Sequence, residues 1–556
     1  MKLNILIGGS AGQGMDTVSV FLEKALKKGG FYVFSNKDYM SRVRGGHNFT
    51  QIRFGDEPIY SHDAKLDLIL ALDRDTVEIH KDKLNENGII IADEAIQYDD
   101  KRLVRLPLLK TAKDVGLSKA FTFVAAGAIL KHFGIKGNFE DFIAKKLAEP
   151  IRNKNIEAFK KGRDLVDERF TITGKVLSNH LIINGNDAIG LGALIGGLSF
   201  YSAYPMTPAT SVMTYLSKKS LEAGIVVEQA EDEISAINMA IGASYAGARA
   251  MTGSSGGGVA LMVEAFGLAG ITETPLVVID SQRPGPATGL PTRTEQSDLS
   301  FLLTASQGEF PRVVLSVRNA EDAFYQTFRA LNIADKYQTL VILLTDQYLA
   351  DSNITIPRFA LEDLKIERHI SDGTGLDEEY RRYKITESGI SPRLIPGKVK
   401  GQVVLVDSDE HTEYSHITEE ADIRNAQMEK RMRKLDLLIK EDLQEPDYFG
   451  GEDIDVLLVS WGSTFGAVKE AAEALNDTGI KVGALSFGDI YPLPEKLLKK
   501  YSNKAKKVIN VEQNFTGQLG KLITQETGIL MDDSILKYDG RQITSDEIVS
   551  RLSGEV

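Results

Sequence analysis

Short apolar runs alternate with amphipathic stretches along most of the chain, and the alternation restarts twice. The first series reads "LNILIGG", "DTVSVFLEKALKKGG", "FYVFSNKDY", "LDLILALDRD" and "GIIIADEAI". A brief apolar run followed by a helical period marks a strand-helix unit, so residues 1–173 predict a βαβ sheet with glycine-rich turns at its carboxyl edge. "FTFVAAGAILKHFG" and "NFEDFIAKKLAEP" supply its later helices, and the polar stretch from Gly162 to Thr173 ends it.

Residues 174–351 repeat the pattern in a larger unit. "TPLVVIDSQ", "PRVVLSV" and "TLVILLTD" are almost continuously apolar, the character of strands covered on both faces. "AIGLGALIGGLSFY" (188–201) is broken by glycines and is too short to span a bilayer, so it predicts a helix packed closely on neighbouring backbone. Residues 352–449 lose the rhythm. They contain "NAQMEKRMRKLDLLIKEDL", whose apolar spacing predicts an exposed or interfacial helix. Residues 450–556 restart with "DVLLVSWGS", "TFGAVKEAAEALNDTG", "KVGALSFGDIYPLP" and "KKVINVEQN", a third α/β domain. The fold class is therefore α/β with three domains.

Size agrees with that division, because 556 residues and 61.0 kDa exceed what one hydrophobic core ordinarily organises. A net charge of -13 gives no electrostatic basis for wrapping a nucleic-acid backbone. The absence of cysteine excludes disulfides and thiolate-ligated iron-sulfur clusters within this chain, so any redox chemistry is completed elsewhere. The opening apolar run is too short for a signal sequence or a membrane span, and a cytoplasmic protein with no membrane partner is expected.

Five segments carry candidate chemistry. In "YPMTPAT", Pro205 and Pro208 forbid a continuous helix or central strand, so the segment around Thr207 is a shaped connection. "GGSAGQGMDT" sets Gly8, Gly9, Gly12 and Gly14 between a strand and a helix, where backbone N–H groups can meet a phosphate. It lacks the Lys-Ser/Thr tail of a triphosphate loop and the G-x-G-x-x-G spacing, so tight packing stands beside anion contact as its reading. "SRVRGGHNF" offers Arg42, Arg44 and His47 as charged donors. In "VVEQAEDEISAINMAIG", Glu228, Glu231, Asp232 and Glu233 precede a helix. The helix dipole explains most of them, while Glu231 falls where strand gives way to helix, the usual ligand edge. "SQRPGPATGLPTRTEQSD" adds Arg283, Thr292, Arg293 and Thr294 in a proline-restrained loop suited to a carboxylate.

Taken together, "YPMTPAT", "EQAEDEISAINMAIGASYAGARAMTGSSGGG", "QRPGPATGLPTRTEQSDL", "WGSTFGAV" and "VEQNFTGQLG" resemble the alpha subunit of 2-oxoacid:ferredoxin oxidoreductases of the 2-oxoglutarate type. "GGSAGQGMDT" and "SRVRGG" look like the signatures of that family's gamma domain, fused here in front, and the resemblance covers nearly the whole chain. The family's loop commonly has isoleucine where this chain has Met206.

The resemblance implies a gamma-like domain at 1–173 and a transketolase-like, thiamine diphosphate pyrimidine-binding domain at 174–351. It implies a connecting segment at 352–449 and a transketolase C-terminal-like domain at 450–556. It implies a heterodimer with a cysteine-containing beta subunit that holds most of the thiamine diphosphate, its magnesium and a four-iron iron-sulfur cluster. Coenzyme A is then the co-substrate and ferredoxin the electron acceptor, with no metal ligand in this chain. By position, Glu231 matches the carboxylate on N1' of the cofactor's aminopyrimidine, and Thr207 matches the active-site threonine that contacts the oxoacid. Arg293, with Arg283 in the same loop, is the candidate for the oxoacid's C1 carboxylate. Arg42 and Arg44 are candidates for a distal one, and Gly9, Gly12 and Gly14 for cofactor contact. The same machinery acting on pyruvate, branched-chain or aryl oxoacids is an alternative, as is a non-catalytic structural partner.

Overall fold

The computed structural model describes residues 1–41, 46–376 and 379–554. Two compact units emerge from it. One holds residues 1–183, 351–358 and 544–546, and the other holds 184–350, 359–543 and the described remainder.

The first unit is built on an eight-stranded sheet in the order Leu103–Leu106, Leu84–Asp93, Leu66–Ala71, Lys2–Ser10, His47–Gly55, Tyr32–Asp38, Asn353–Pro357, His180–Asn184. Lys2–Ser10 is central because it is apolar on both faces. Leu3, Ile5 and Ile7 join a core with Phe21, Val124 and Phe159, while Leu6 joins Ile69, Val77 and Ile90 on the other side.

The sheet joins the parallel strands of the βαβ rhythm to an antiparallel half. Lys2–Ser10 runs parallel to Leu66–Ala71 but antiparallel to His47–Gly55, which is also antiparallel to Tyr32–Asp38. The connection between the last two strands has no room for a crossover helix, so they can only form a hairpin. Asn353–Pro357 adds antiparallel to Tyr32–Asp38, so the stretch expected to be irregular opens with a strand of this sheet. Its seat is polar: buried Glu23 accepts from Ser35 Oγ at 2.6 Å and Asn353 Nδ2 at 3.2 Å.

The second unit carries a seven-stranded sheet ordered Asp489–Tyr491, Arg312–Ser316, Leu340–Asp346, Leu276–Gln282, Ala250–Ser254, Phe200–Ala203, Val226–Gln229. All neighbours are parallel except the first strand, which the last hundred residues contribute antiparallel at the edge. A five-stranded sheet follows, ordered Asp447–Phe449, Val482–Phe487, Val456–Trp461, Lys507–Glu512, Asp533–Leu536. The sheets share one core, in which Val259, Phe266, Val278 and Ile342 meet Trp461, Leu485, Phe487 and Leu519.

The glycine-rich stretch forms helix Gly185–Ile195, and a Cβ at Gly192 would lie 2.3 Å from the Phe324 carbonyl oxygen. That close approach accounts for its glycine. Helix Ala421–Glu441 is interfacial, but what it buries includes charge: Lys430 and Lys434 each lie 2.5 Å from the buried carboxylate of Glu273. No helix among the described residues is long and apolar enough to cross a membrane.

Candidate active site

The carboxyl ends of the parallel strands in the seven-stranded sheet bring three of the marked loops together, as open α/β sheets do at their ligand edge. Strand Phe200–Ala203 opens into the Tyr204–Ala209 loop and then helix Thr210–Ala223. Asn186 Nδ2 holds this loop through the Pro208 carbonyl at 2.9 Å and Ser211 Oγ at 2.7 Å. The half-buried Thr207 hydroxyl makes no hydrogen bond among the described residues. Arg283, from the end of strand Leu276–Gln282, donates Nη1 to the Thr207 carbonyl at 2.8 Å.

Strand Ala250–Ser254 lies between those two strands and runs through Ser255 into helix Gly256–Ile271. The sulfur of Met206 accepts from Ser255 Oγ at 2.7 Å, which ties the glycine turn to the threonine loop. Asp298 approaches from the other side: a Cβ at Gly256 would lie 2.3 Å from its carboxylate. Only glycine leaves that space.

Of the acidic cluster, the structure buries Glu233 at 3% exposure and leaves Glu231 exposed. Asp232 caps helix Glu233–Tyr245, accepting from the Ser235 backbone N–H at 2.7 Å. Glu233 therefore starts the helix and points inward, where Ser254 Oγ donates to its Oε1 across a long 3.5 Å. A Cβ at Gly258 would meet that same Oε1 at 2.5 Å, so the glycine turn is shaped around this carboxylate. The role given to Glu231 needs a carboxylate facing the ligand edge from within. Glu233 faces inward at that edge, and Glu231 is exposed in this chain.

Arg293 is half-buried against Gly540, whose Cβ would lie 3.1 Å from Arg293 Cβ. Its loop is pinned to the five-stranded sheet rather than to Thr207: Gln296 Nε2 donates to the Trp461 carbonyl at 2.7 Å, and Gln513 N donates to Gln296 Oε1 at 3.0 Å. Burial pushes Asp298 up to about 6 against the opposing pull of Arg283, and pushes Glu295 up to about 7 with help from Asp298. Asp280, wholly buried, is raised well above the usual carboxylate range by burial, with Asp298 adding to it. Asp346 is likewise raised to about 6 by burial, although Ser463, Thr294 and the backbone of Leu349 and Tyr348 donate to it.

In the first unit the "GGSAGQG" stretch lies at the end of strand Lys2–Ser10 and the start of helix Met15–Lys28. Gly9 is a packing position, since its Cβ would lie 2.9 Å from Leu72 Cβ. Gly12 and Gly14 have φ of 92° and 85°, a left-handed backbone that glycine adopts without strain. Gly12, Gln13 and Gly14 line a cavity of about 810 Å³ with Lys119, Phe121 and Asn155. Arg42 and Arg44 lie outside the described residues. Among the described residues no group of three or more His, Asp or Glu is arranged to hold a metal ion.

Three family models divide the chain among them. The one described as pyruvate flavodoxin/ferredoxin oxidoreductase, thiamine diphosphate-binding, matches residues 191–430. Pyruvate ferredoxin/flavodoxin oxidoreductase matches 4–165, and pyruvate:ferredoxin oxidoreductase core domain II matches 454–548. A 2-oxoacid:ferredoxin oxidoreductase subunit alpha from Sulfolobus sp. is 34% identical, over 99% of this chain and 96% of its own. The chain belongs to the 2-oxoacid:ferredoxin oxidoreductase alpha-subunit family.

Within that family, the solved 2-oxoglutarate:ferredoxin oxidoreductase from Magnetococcus marinus, with 2-oxoglutarate, coenzyme A and succinyl-CoA bound, is similar at 35% identity and a TM-score of 0.94. The match covers 100% of this chain and 99% of that one. A 2-oxoglutarate synthase subunit KorA from Archaeoglobus fulgidus is 32% identical over 67% of this chain and 99% of its own. For a 2-oxoacid:ferredoxin oxidoreductase alpha chain, sequence reasoning named Glu233 only as one of four helix-start acids and passed over Asp280 and Asp298 altogether. The alternation of exposed and buried positions after the Asp232 cap was the available signal for Glu233. None existed for Asp280, which reads as an ordinary strand residue.

Proposed function

We propose that this chain is the alpha subunit of a 2-oxoglutarate:ferredoxin oxidoreductase, with the gamma, pyrimidine-binding and C-terminal modules at 1–173, 174–351 and 450–556 joined by 352–449. The observation that carries the reading is the convergence of the Thr207 loop, the buried Glu233 and Arg283 on one sheet edge. The full-length likeness to an enzyme holding 2-oxoglutarate and coenzyme A supports the choice of substrates.

Thiamine diphosphate fits this edge. Its aminopyrimidine needs a buried carboxylate with acceptor capacity to spare, and Glu233 has one long hydrogen bond and a glycine-cleared space beside it. Bound there, thiamine diphosphate supplies a carbon nucleophile and an electron sink. Glu233 takes the N1' role first assigned to Glu231, holding a proton at that nitrogen. The Thr207 hydroxyl, aimed by its prolines, donates to the oxoacid. Arg283 grips the C1 carboxylate, ahead of Arg293, because it already reaches the Thr207 loop. Coenzyme A accepts the acyl group, with Gly12 and Gly14 and the cavity they line in the first unit as its contact; Gly9, expected beside them, is taken up by packing.

A partner beta subunit supplies the cysteines that ligate the iron-sulfur cluster, and the diphosphate and magnesium sites, since this chain has no cysteine. Ferredoxin takes the electrons, in the cytoplasm. The test is anaerobic ferredoxin reduction by the native complex with thiamine diphosphate, magnesium and coenzyme A across a panel of 2-oxoacids. Selective turnover of 2-oxoglutarate is the expected result. No turnover of any oxoacid by a complex verified to hold cofactor and cluster would sink the reading.

A further inference from the structure

Ser255 stands where a serine ordinarily caps a helix, and its side chain does not cap it. It precedes helix Gly256–Ile271 with φ of -98° and ψ of 171°, the extended backbone from which a cap side chain turns back to accept from the second or third backbone N–H. Asp232 does this for helix Glu233–Tyr245, whereas the Ser255 side chain makes no cap bond. Its hydroxyl, on a residue with 0% exposure, instead donates to the Met206 sulfur at 2.7 Å.

The neighbouring Ser254 hydroxyl is divided between two acceptors, the same sulfur at 3.6 Å and Glu233 Oε1 at 3.5 Å. A hydroxyl has one proton, so Ser254 serves one of them at a time and Ser255 is the firm end of the contact. Glycine clears the space: a Cβ at Gly258 would lie 2.1 Å from Ser254 Oγ. On its other side the threonine loop is held through its backbone, by Asn186 at the Pro208 carbonyl and by Arg283 at the Thr207 carbonyl. Met206 is thus the side chain that fastens the loop to the glycine turn shaped around Glu233. Isoleucine, which the family's loop commonly carries here, offers neither serine an acceptor.

We propose that Met206 is a positioning residue for Thr207: its sulfur draws the Ser255 hydroxyl off the helix cap and so sets the Thr207 hydroxyl relative to Glu233. The inference rests on Thr207 donating to the oxoacid. Both groups must meet the same substrate and cofactor, and a small misplacement at a reacting centre lowers rate steeply. With isoleucine at 206 the Ser255 hydroxyl is free to return to the helix N–H groups, and the loop loses its tie to the turn.

The experiment compares Met206→Ile, Ser255→Ala and the double variant in the complex of this chain with its partner subunit. Each single change should lower kcat/KM for the oxoacid about three- to tenfold, the scale of one hydrogen bond. The double variant should lose no more than the larger single, because both cut the same bond. Met206→Gln, with an acceptor at similar reach, should recover most of the loss. Melting temperature separates positioning from packing. A serine whose side chain does not cap contributes no cap, so Ser255→Ala should melt within about 1 °C of wild type, and Met206→Ile no lower than wild type. Wild-type kcat/KM in Met206→Ile, losses that add in the double variant, or a Ser255→Ala complex that melts several degrees lower would overturn the inference and leave the Thr207 reading standing. Wild-type turnover in Thr207→Ala would instead remove that reading and the inference with it.

Discussion

The Arg283 guanidinium is tied to the Thr207 carbonyl at 2.8 Å, across a strand that separates their own two strands in the sheet. One arginine thereby fastens two proline-shaped loops that the chain reaches 76 residues apart. A guanidinium has five donors in a planar fork, so donors remain for a carboxylate. The contact also fixes the backbone that carries the Thr207 hydroxyl.

Replacing Arg283 with Gln should therefore act twice, removing a charge-assisted partner of the oxoacid and loosening the threonine loop. Each such bond is worth roughly 1.5–3 kcal/mol, so KM for the oxoacid should rise on the order of 10- to 100-fold in ferredoxin-reduction assays. Arg293→Gln should shift it less than Arg283→Gln, because its loop is pinned to the five-stranded sheet instead. Equal losses in the two variants would return Arg293 to the role.

Glu233 and Glu231 separate cleanly by substitution. Glu233→Gln removes the proton-holding carboxylate and should lower kcat by on the order of 10²-fold or more, the scale of general acid-base contributions. Glu231→Gln alters an exposed side chain and should leave kcat within about threefold, as surface changes away from special features do. Single-turnover oxoacid decarboxylation measures both, and the reverse order would restore Glu231.

How much of this was legible in the sequence depends on the distance over which a residue finds its partner. The continuous apolar runs of strands such as Leu276–Gln282 and Leu340–Asp346 declare a doubly covered sheet, since burial on both faces is written into each strand. The Thr207 loop was legible because proline acts locally. Lys430 and Lys434 were not: on a helix they read as solvent-facing, and their partner Glu273 stands 157 residues before Lys430. Glu231 and Glu233 differ by two positions, and only the register fixed by the Asp232 cap decides which one turns inward. The antiparallel pairing of Asn353–Pro357 with Tyr32–Asp38 joins segments some three hundred residues apart, which no local pattern encodes.

The glycine turn of the first unit offers a test of coenzyme A contact. Gly14 has φ of 85°, and a Cβ there would lie 2.8 Å from Thr122 Cγ2 at the cavity wall. Gly14→Ala should cost about 1–2 kcal/mol of backbone strain and crowd the cavity. KM for coenzyme A should rise roughly tenfold, the effect of about 1.4 kcal/mol, while KM for the oxoacid stays put. Gly12→Ala is the control, because its φ of 92° carries the strain but nothing lies within 4 Å of the new Cβ. If both variants keep the wild-type KM for coenzyme A, the turn is a packing feature only.

Asp346 gives a pH-dependent prediction about stability. It closes strand Leu340–Asp346, is wholly buried, and accepts from the Leu349 backbone N–H at 3.0 Å. Burial raises it to about 6, so the folded chain disfavours its charged form more than the unfolded chain does. The sign follows from linkage: below the unfolded value near about 3.9 both states are protonated and no cost exists. As pH rises towards about 6 the unfolded chain releases its proton first and the folded state loses stability; above that the cost is constant, roughly 3 kcal/mol at about 1.4 kcal/mol per unit. Asp346→Asn stays neutral and keeps an acceptor for the Leu349 N–H. It should therefore melt close to wild type at pH 4 and above it at pH 7.5, by a few degrees in a scanning-calorimetry comparison at matched scan rate. A variant that melts lower at pH 7.5 than at pH 4, relative to wild type, would mean that the donors from Thr294, Ser463 and the helix start favour the carboxylate over its acid form.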